Sequence, residues 1–167
     1  ELSRPLSSLS WSGFAAGIAL SFSIYGKAFL YNAVGDATWG AFVSNFGYSL
    51  GFLIVVMGRL QLFTENTITA VLPLLADFKR SRLVCMIRLW IVVFLTNMAG
   101  SFLSALCVMK LGLLPGKQVD AVVAISEHLL DYSAYQSLAY GIPAGFLIAA
   151  LVWLMPAARG SAFWVII

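Results

Sequence analysis

The sequence predicts an all-α integral membrane protein, and three observations carry that reading. Mean hydropathy is +0.93. Of 167 residues, 61% are apolar and only 10% charged, against about 25% charged in soluble domains. The apolar residues are also gathered into four long runs, and a soluble fold of this length could not enclose so much apolar surface. Ten Lys and Arg against seven Asp and Glu leave a net charge of +3. The basic residues are scattered, so the lipid bilayer is the expected partner and nucleic acid is not.

A helix needs about 20 apolar residues to cross a hydrocarbon core of about 30 Å. The runs Leu9 to Tyr31, Phe42 to Leu75, Leu83 to Met109 and Tyr135 to Met155 meet that length. The first apolar stretch is too long for a signal-peptide core and no cleavage pattern follows it. A further run, Ala162 to Ile167, reaches the last residue without a polar stop, and at least one more span is expected to follow. The chain is therefore expected to be a trimmed single transmembrane domain, 1–167, of four spans plus the start of a fifth.

Lys/Arg bias sets orientation. With the N-terminus cytoplasmic, Arg4, Lys79, Arg80, Arg82, Arg88 and Arg159 gather inside, and Lys27, Lys110 and Lys117 outside. In the outer loop Val119, Val122, Val123 and Leu130 recur at helical spacing around Asp120, Glu127 and His128, the pattern of a short helix on the membrane surface. His128 there reads as a solvated loop histidine, with a proton relay as the alternative. It is the one histidine, and no Cys/His cluster accompanies it, so no metal site and no cofactor are expected. Cys85 and Cys107 lie 22 residues apart in one helical run, about 33 Å, too far to pair.

The second run cannot be one straight helix. Its 34 residues would extend about 51 Å, and it carries Arg59 and Glu65. A break at Gly58 to Asn66 leaves Phe42 to Met57 and Thr67 to Leu75 as half-helices. Irregular backbone at membrane depth survives only inside protein or against a wet cavity, so the break points to a solute pathway. Thr64 is placed to cap the second half-helix, whose free amides suit a small anion. Arg59 and Glu65 are either a charge pair across the break or two separate interfacial charges.

Small residues mark close helix contacts. Gly13 and Gly17, Gly47 and Gly51, and Gly141 and Gly145 are small-xxx-small pairs. Asn97, Gly100, Ser101 and Ser104 share one face of the third span, which either lines a pore or glues helices together. The echo between Gly13-Phe-Ala-Ala-Gly17 and Gly141-Ile-Pro-Ala-Gly145 suggests an inverted repeat, the first unit covering about 9–109 and the second beginning at about 135.

Tyr48-Ser-Leu-Gly-Phe52 followed by Leu62-Phe63-Thr64, with Trp90, Asn97 and Gly100 on the third span and Gly141-Ile142 with Ala144 on the fourth, resembles the formate/nitrite transporter family. The similarity runs from about Ser12 to the end. Trp11-Ser-Gly and Leu62-Phe-Thr-Glu-Asn-Thr resemble a bacterial inner-membrane subgroup more than the formate and nitrite channels.

The resemblance implies an aquaporin-like six-helix inverted-repeat channel in the bacterial inner membrane, with both termini cytoplasmic, assembled as a homopentamer with a pore in each subunit. It places Tyr48 and Phe52 at the central and outer constriction, and Leu62, Phe63 and Thr64 at the inner slit and gate. Phe63 is either that gate or a packing residue. The chain departs from the family at Arg59, where glycine is usual, at Gln61, where an acid is usual, and at Glu65, where a small residue is usual. The family's outer lysine falls on Leu129 and its pore asparagine on Gly145, and its central histidine belongs to a fifth helix.

The functional expectation is a channel or transporter for a small monovalent anion or its neutral acid, a short monocarboxylate. A neutral-solute pore and a non-transporting structural subunit are the alternatives. No Ser/His/Asp set, carboxylate pair or nucleotide loop supports an enzyme.

Overall fold

The computed structural model describes every residue except Glu1, Asp36 and Arg159. Arg159, counted above with the cytoplasmic charges, thus lies outside the described residues. The helices are α1 (Leu6–Val34), α2 (Gly40–Met57), α3 (Phe63–Ala76), α4 (Arg80–Leu111), α5 (Gly116–Glu127), α6 (Ala134–Leu154) and α7 (Ala162–Ile166), with a 3₁₀ turn at His128–Asp131 between α5 and α6. Among the described residues there is no strand. Helices α1, α2, α4 and α6 are long and apolar enough to cross a membrane. They occupy the four expected runs, and the second run is divided into α2 and α3.

Helix ends follow local chemistry. Gly35 and Gly112 take the positive φ values of 64° and 63° that end α1 and α4. Ser133 and Gln136 form a reciprocal capping box that starts α6, two orphan donors being satisfied at once. Arg88 Nη2 donates to the carbonyls of Leu2 and Arg4 at 3.0 and 3.3 Å, fastening the segment before α1 to α4.

α1 is the hub, packing on α2, α4 and α5. At its crossings with α2 and α4 it can do so because glycine removes the side chain there. A Cβ on Gly26 or Gly47 would run into the other's backbone, and one on Gly17 would meet the backbone of Asn97. The face of α4 carrying Asn97, Gly100, Ser101 and Ser104 lies against α1. Asn97 Nδ2 donates to Gly13 O at 2.7 Å, Ser101 Oγ to Gly17 O at 3.0 Å, and Ser104 Oγ shares a 2.9 Å hydrogen bond with Tyr25 Oη. Interhelical hydrogen bonds between closely approaching backbones are the usual cement of membrane helices.

Two buried apolar clusters flank the division between α2 and α3. Leu9, Ala70, Leu74, Met86, Leu89 and Val93 bind α3 to α1 and α4. Ala16, Ala19, Val55 and Leu62 bind the end of α2 to α1. The glycine pair Gly141 and Gly145 of α6 behaves differently from the other two pairs, since open space lies where each Cβ would be.

Candidate functional site

The interruption spans Gly58 to Leu62, and its backbone explains why α2 stops. Arg59 N donates to Val56 O at 3.2 Å and Leu60 N to Val55 O at 2.9 Å. This is the paired 5→2 and 6→1 pattern of a Schellman end, with Arg59 at the position that favours glycine. Arg59 is accordingly the described non-glycine residue with positive φ, 50°. Leu60 packs on the cluster containing Val55, the apolar contact that accompanies such ends.

α3 then starts without help from Thr64. Its N-cap is Leu62, extended and with no side-chain cap of its own. Asn97 on α4 does the work: its Oδ1 accepts from Phe63 N at 2.9 Å while its Nδ2 donates to Gln61 O at 2.9 Å. One side chain thus satisfies a free amide and a free carbonyl of the break. Ser12 Oγ accepts from Gln61 N at 3.1 Å, Asn66 Nδ2 donates to Gln61 Oε1 at 2.9 Å, and Trp90 Nε1 donates to Asn66 O at 3.2 Å. Gln61, Asn66 and Asn97 are all buried. The expected Thr64 cap is therefore corrected to a cap supplied by Asn97, and Asn97 acts in packing at the break.

Arg59 and Glu65 are not brought together. Among the described residues no ion pair joins them. Arg59 is exposed on the connector, whereas Glu65 lies in the first turn of α3, where the helix dipole favours an acid. The expected Arg59–Glu65 ion pair is thus not formed among the described residues, and Glu65 has a partner other than Arg59.

Next to the break is a cavity of about 530 Å³. Its wall takes Leu20, Ser21, Ser23 and Ile24 from α1, Tyr48 and Phe52 from α2, and Leu62 and Thr64 from the break and the start of α3. Ser101 of α4 and Gly141, Ala144, Gly145 and Ile148 of α6 complete it. The open space at Gly141 and Gly145 is thus the cavity itself. Tyr48 and Phe52 stand one turn apart with ring centroids 5.9 Å from each other. Among the described residues no Asp, Glu, Lys, Arg or His lines this cavity.

A second cavity, about 460 Å³, lies beneath α5 and is lined by residues of α1, α4 and α5. Ser21, Ile24 and Ser101 line both, so these three form the partition between the two spaces. The hydroxyls of Ser21 and Ser101 both donate to Gly17 O, at 3.3 and 3.0 Å. α5 matches the expected short helix, but it roofs a cavity through Val122, Val123 and Ser126. His128 is largely exposed and sits 3.4 Å from the Asp131 carboxylate.

Phe63 does not line the cavity that receives its neighbours Leu62 and Thr64. Its ring lies 5.2 Å from Phe94 and 6.3 Å from Trp90, edge-on to both, against the first apolar cluster. Ser21 and Ile24 carry no motif in the sequence, whereas Gly141 and Gly145, the latter where the family's pore asparagine falls, do, and both line the cavity. The glycine spacing carries no mark that separates a helix contact from a cavity wall.

The formate/nitrite transporter family model matches residues 1–167. Inner membrane protein YfdC of Escherichia coli K12 is 36% identical over 167 residues, which is 100% of this chain and 54% of that protein. Formate channel FocA of Haemophilus influenzae is 30% identical over 86% of this chain and 51% of its own length. Formate channel BtFdhC of Bacillus thuringiensis is 28% identical over 92% of this chain and 60% of its own. The chain spans between half and three fifths of the length of these relatives. No solved structure gives a significant match. With its whole length matched by the family model, this chain belongs to the formate/nitrite transporter family.

Proposed function

We propose that this chain builds the pore of a channel for a small monovalent anion or its neutral acid, a short monocarboxylate such as formate. One observation carries the reading: Tyr48, Phe52, Leu62 and Thr64, from separate parts of the chain, converge on one cavity that abuts a second across Ser21 and Ser101. The two spaces make the pathway, with Tyr48 and Phe52 as one constriction and Leu62 with Thr64 as the inner one. Phe63 supports the inner constriction by its packing. Apolar constrictions penalise a bare charge, and the neutral lining suits a solute that is uncharged at the narrowest point. Two named formate channels among the relatives support the solute class.

The same reading takes the protein as a multi-pass bacterial inner-membrane protein with a cytoplasmic N-terminus, supported by the relative named an inner membrane protein and by the Lys/Arg bias. The divided α2 and α3 lie in a first repeat of about 9–109, and α6 opens the second, in an aquaporin-like six-helix protomer of a homopentamer.

The test is flux through the whole protein in liposomes. Formate, acetate, lactate, nitrite or hydrosulfide should cross faster than into empty liposomes, and flux of none of them would overturn the reading. The neutral lining also favours a pore for uncharged solutes, which glycerol-driven volume change by stopped-flow light scattering would reveal.

A further inference from the structure

We propose that Lys27, with Tyr31 and Asn45, forms a binding site for a small oxyanion, separate from the pathway. A third cavity, about 340 Å³, lies between α1, α2 and α5. Lys27 and Tyr31 of α1 and Ser44 and Asn45 of α2 line it, and Ala124 and Ile125 of α5 are among the residues that close it. None of its lining residues lines either of the other two cavities.

The side chain of Lys27 is half-buried, and among the described residues no carboxylate pairs with it. Helices α1 and α2 contain no acidic residue. On α5 the acids are Asp120 and Glu127. Neither lines this cavity, and Glu127 lines the one beneath the other face of the helix. Lys27 lies toward the C-terminal end of α1, Asp36 between α1 and α2 is outside the described residues, and no described acid lines the cavity, so the ammonium is open to an anion from solution or from a lipid headgroup.

The donors fit an oxyanion. Besides the ammonium, the Tyr31 hydroxyl and the Asn45 amide have no hydrogen-bond partner among the described residues, whereas Ser44 Oγ is spent on Ala41 O at 3.0 Å. A carboxylate or a phosphate accepts several such bonds at once, and charge-assisted ones are the strongest. The volume holds a group of that size with some water, which occupies about 30 Å³ per molecule. Asn32 Nδ2 donates to Lys117 O at 2.9 Å and so ties the start of α5 to α1. An anion held here therefore bears on the same helix that roofs the second cavity. A dissolved carboxylate or phosphate and the phosphate of an anionic lipid share this chemistry.

The experiment is thermal melting of the purified whole protein. Formate and inorganic phosphate are compared with chloride at matched ionic strength, and phosphatidylglycerol with phosphatidylcholine. A dissolved oxyanion, the anionic lipid or both should raise the melting midpoint. Lys27→Gln should need about ten- to hundredfold more ligand for the same rise, while Lys117→Gln, outside the cavity, should respond like the unaltered protein. A response to dissolved anions alone identifies a solute site, and one to phosphatidylglycerol alone a lipid site. No rise beyond chloride and phosphatidylcholine, or an unchanged response in Lys27→Gln, overturns the proposal. If Lys27→Gln does not fold, Asn45→Ala takes its place and should weaken the response severalfold; an unaltered response there overturns the proposal equally. Melting requires no transport, so a protein that carries no monocarboxylate yet responds through Lys27 refutes the pore reading and leaves this site standing.

Discussion

Replacing Asn97 tests how the interrupted helix is held. Its side chain makes three hydrogen bonds, two donated to Gly13 O and Gln61 O and one accepted from Phe63 N, at 2.7, 2.9 and 2.9 Å. At the membrane average of about 0.6 kcal/mol per bond, Asn97→Ala should cost about 2 kcal/mol. Stranding the Phe63 amide and the Gln61 carbonyl without water raises this to about 4 kcal/mol, since each buried unsatisfied group costs about 1 to 3 kcal/mol. Asn97→Asp discriminates further. It keeps the shape and the acceptor for Phe63 N, but it turns the two donors into oxygen facing the carbonyls of Gly13 and Gln61, and it buries a charge. The nearly isosteric change should thus be worse than the truncation. Ser101→Ala, which removes one interhelical bond, should cost about 0.6 kcal/mol. Reversible unfolding of the purified protein in mixed micelles, followed by circular dichroism, gives the order directly. Asn97→Asp milder than Asn97→Ala, or either within about 0.5 kcal/mol of the unaltered protein, would refute the view that Asn97 caps the break.

Phe63→Ala should lose at least about 1 to 3 kcal/mol, the worth of two aromatic pairs beyond the area they bury, with solute flux unchanged; a raised leak in an intact oligomer would restore Phe63 as the gate. Arg59→Gly should stabilise the protein by up to about 1.5 kcal/mol. The left-handed conformation costs a side-chain-bearing residue about 1 to 2 kcal/mol, and the added freedom of glycine takes back about 0.5 to 1. A net loss in the melt would mean that the arginine side chain contributes more than its backbone position costs. Gly47→Ala should sharply reduce the yield of folded protein, because the methyl meets the backbone of Gly26 and Lys27. Gly116→Ala, with open space around it, should be neutral, and equal yields of the two would contradict the close α1–α2 crossing.

The spans were legible because each needs only a long apolar run, and the break was legible because Phe42 to Leu75 is too long for one crossing. Its edges depended on finer signals. The Gly58-Arg59 pair sits where α2 ends, but the end is defined by hydrogen bonds to Val55 and Val56, which spacing does not display. The cap of α3 was sought in the nearby Thr64, because hydroxyl residues usually cap their own helices. The actual cap comes from Asn97, 34 positions away, and only tertiary structure brings it there. Leu62, Phe63 and Thr64 form one motif in sequence, yet the first and last face the cavity while Phe63 faces α4. Their directions depend on the phase of a helix whose first residue is Phe63. Arg59 and Glu65 look like partners because both interrupt an apolar run, but a turn and a helix start accommodate them separately.

The central claim is that the cavity walled by Tyr48, Phe52, Leu62 and Thr64 carries the solute. Its most direct measurement is flux through a protein with Cys85 and Cys107 changed to serine and a new cysteine at Thr64, before and after a small thiol reagent. Modification of Thr64→Cys should abolish formate uptake into liposomes, and cleaving the adduct should restore it, while a cysteine at Ser81, outside the cavity, should be labelled without effect. Complete labelling of Thr64→Cys with uptake unchanged would contradict the account, since a group bonded to that wall cannot leave open a pathway that runs past it.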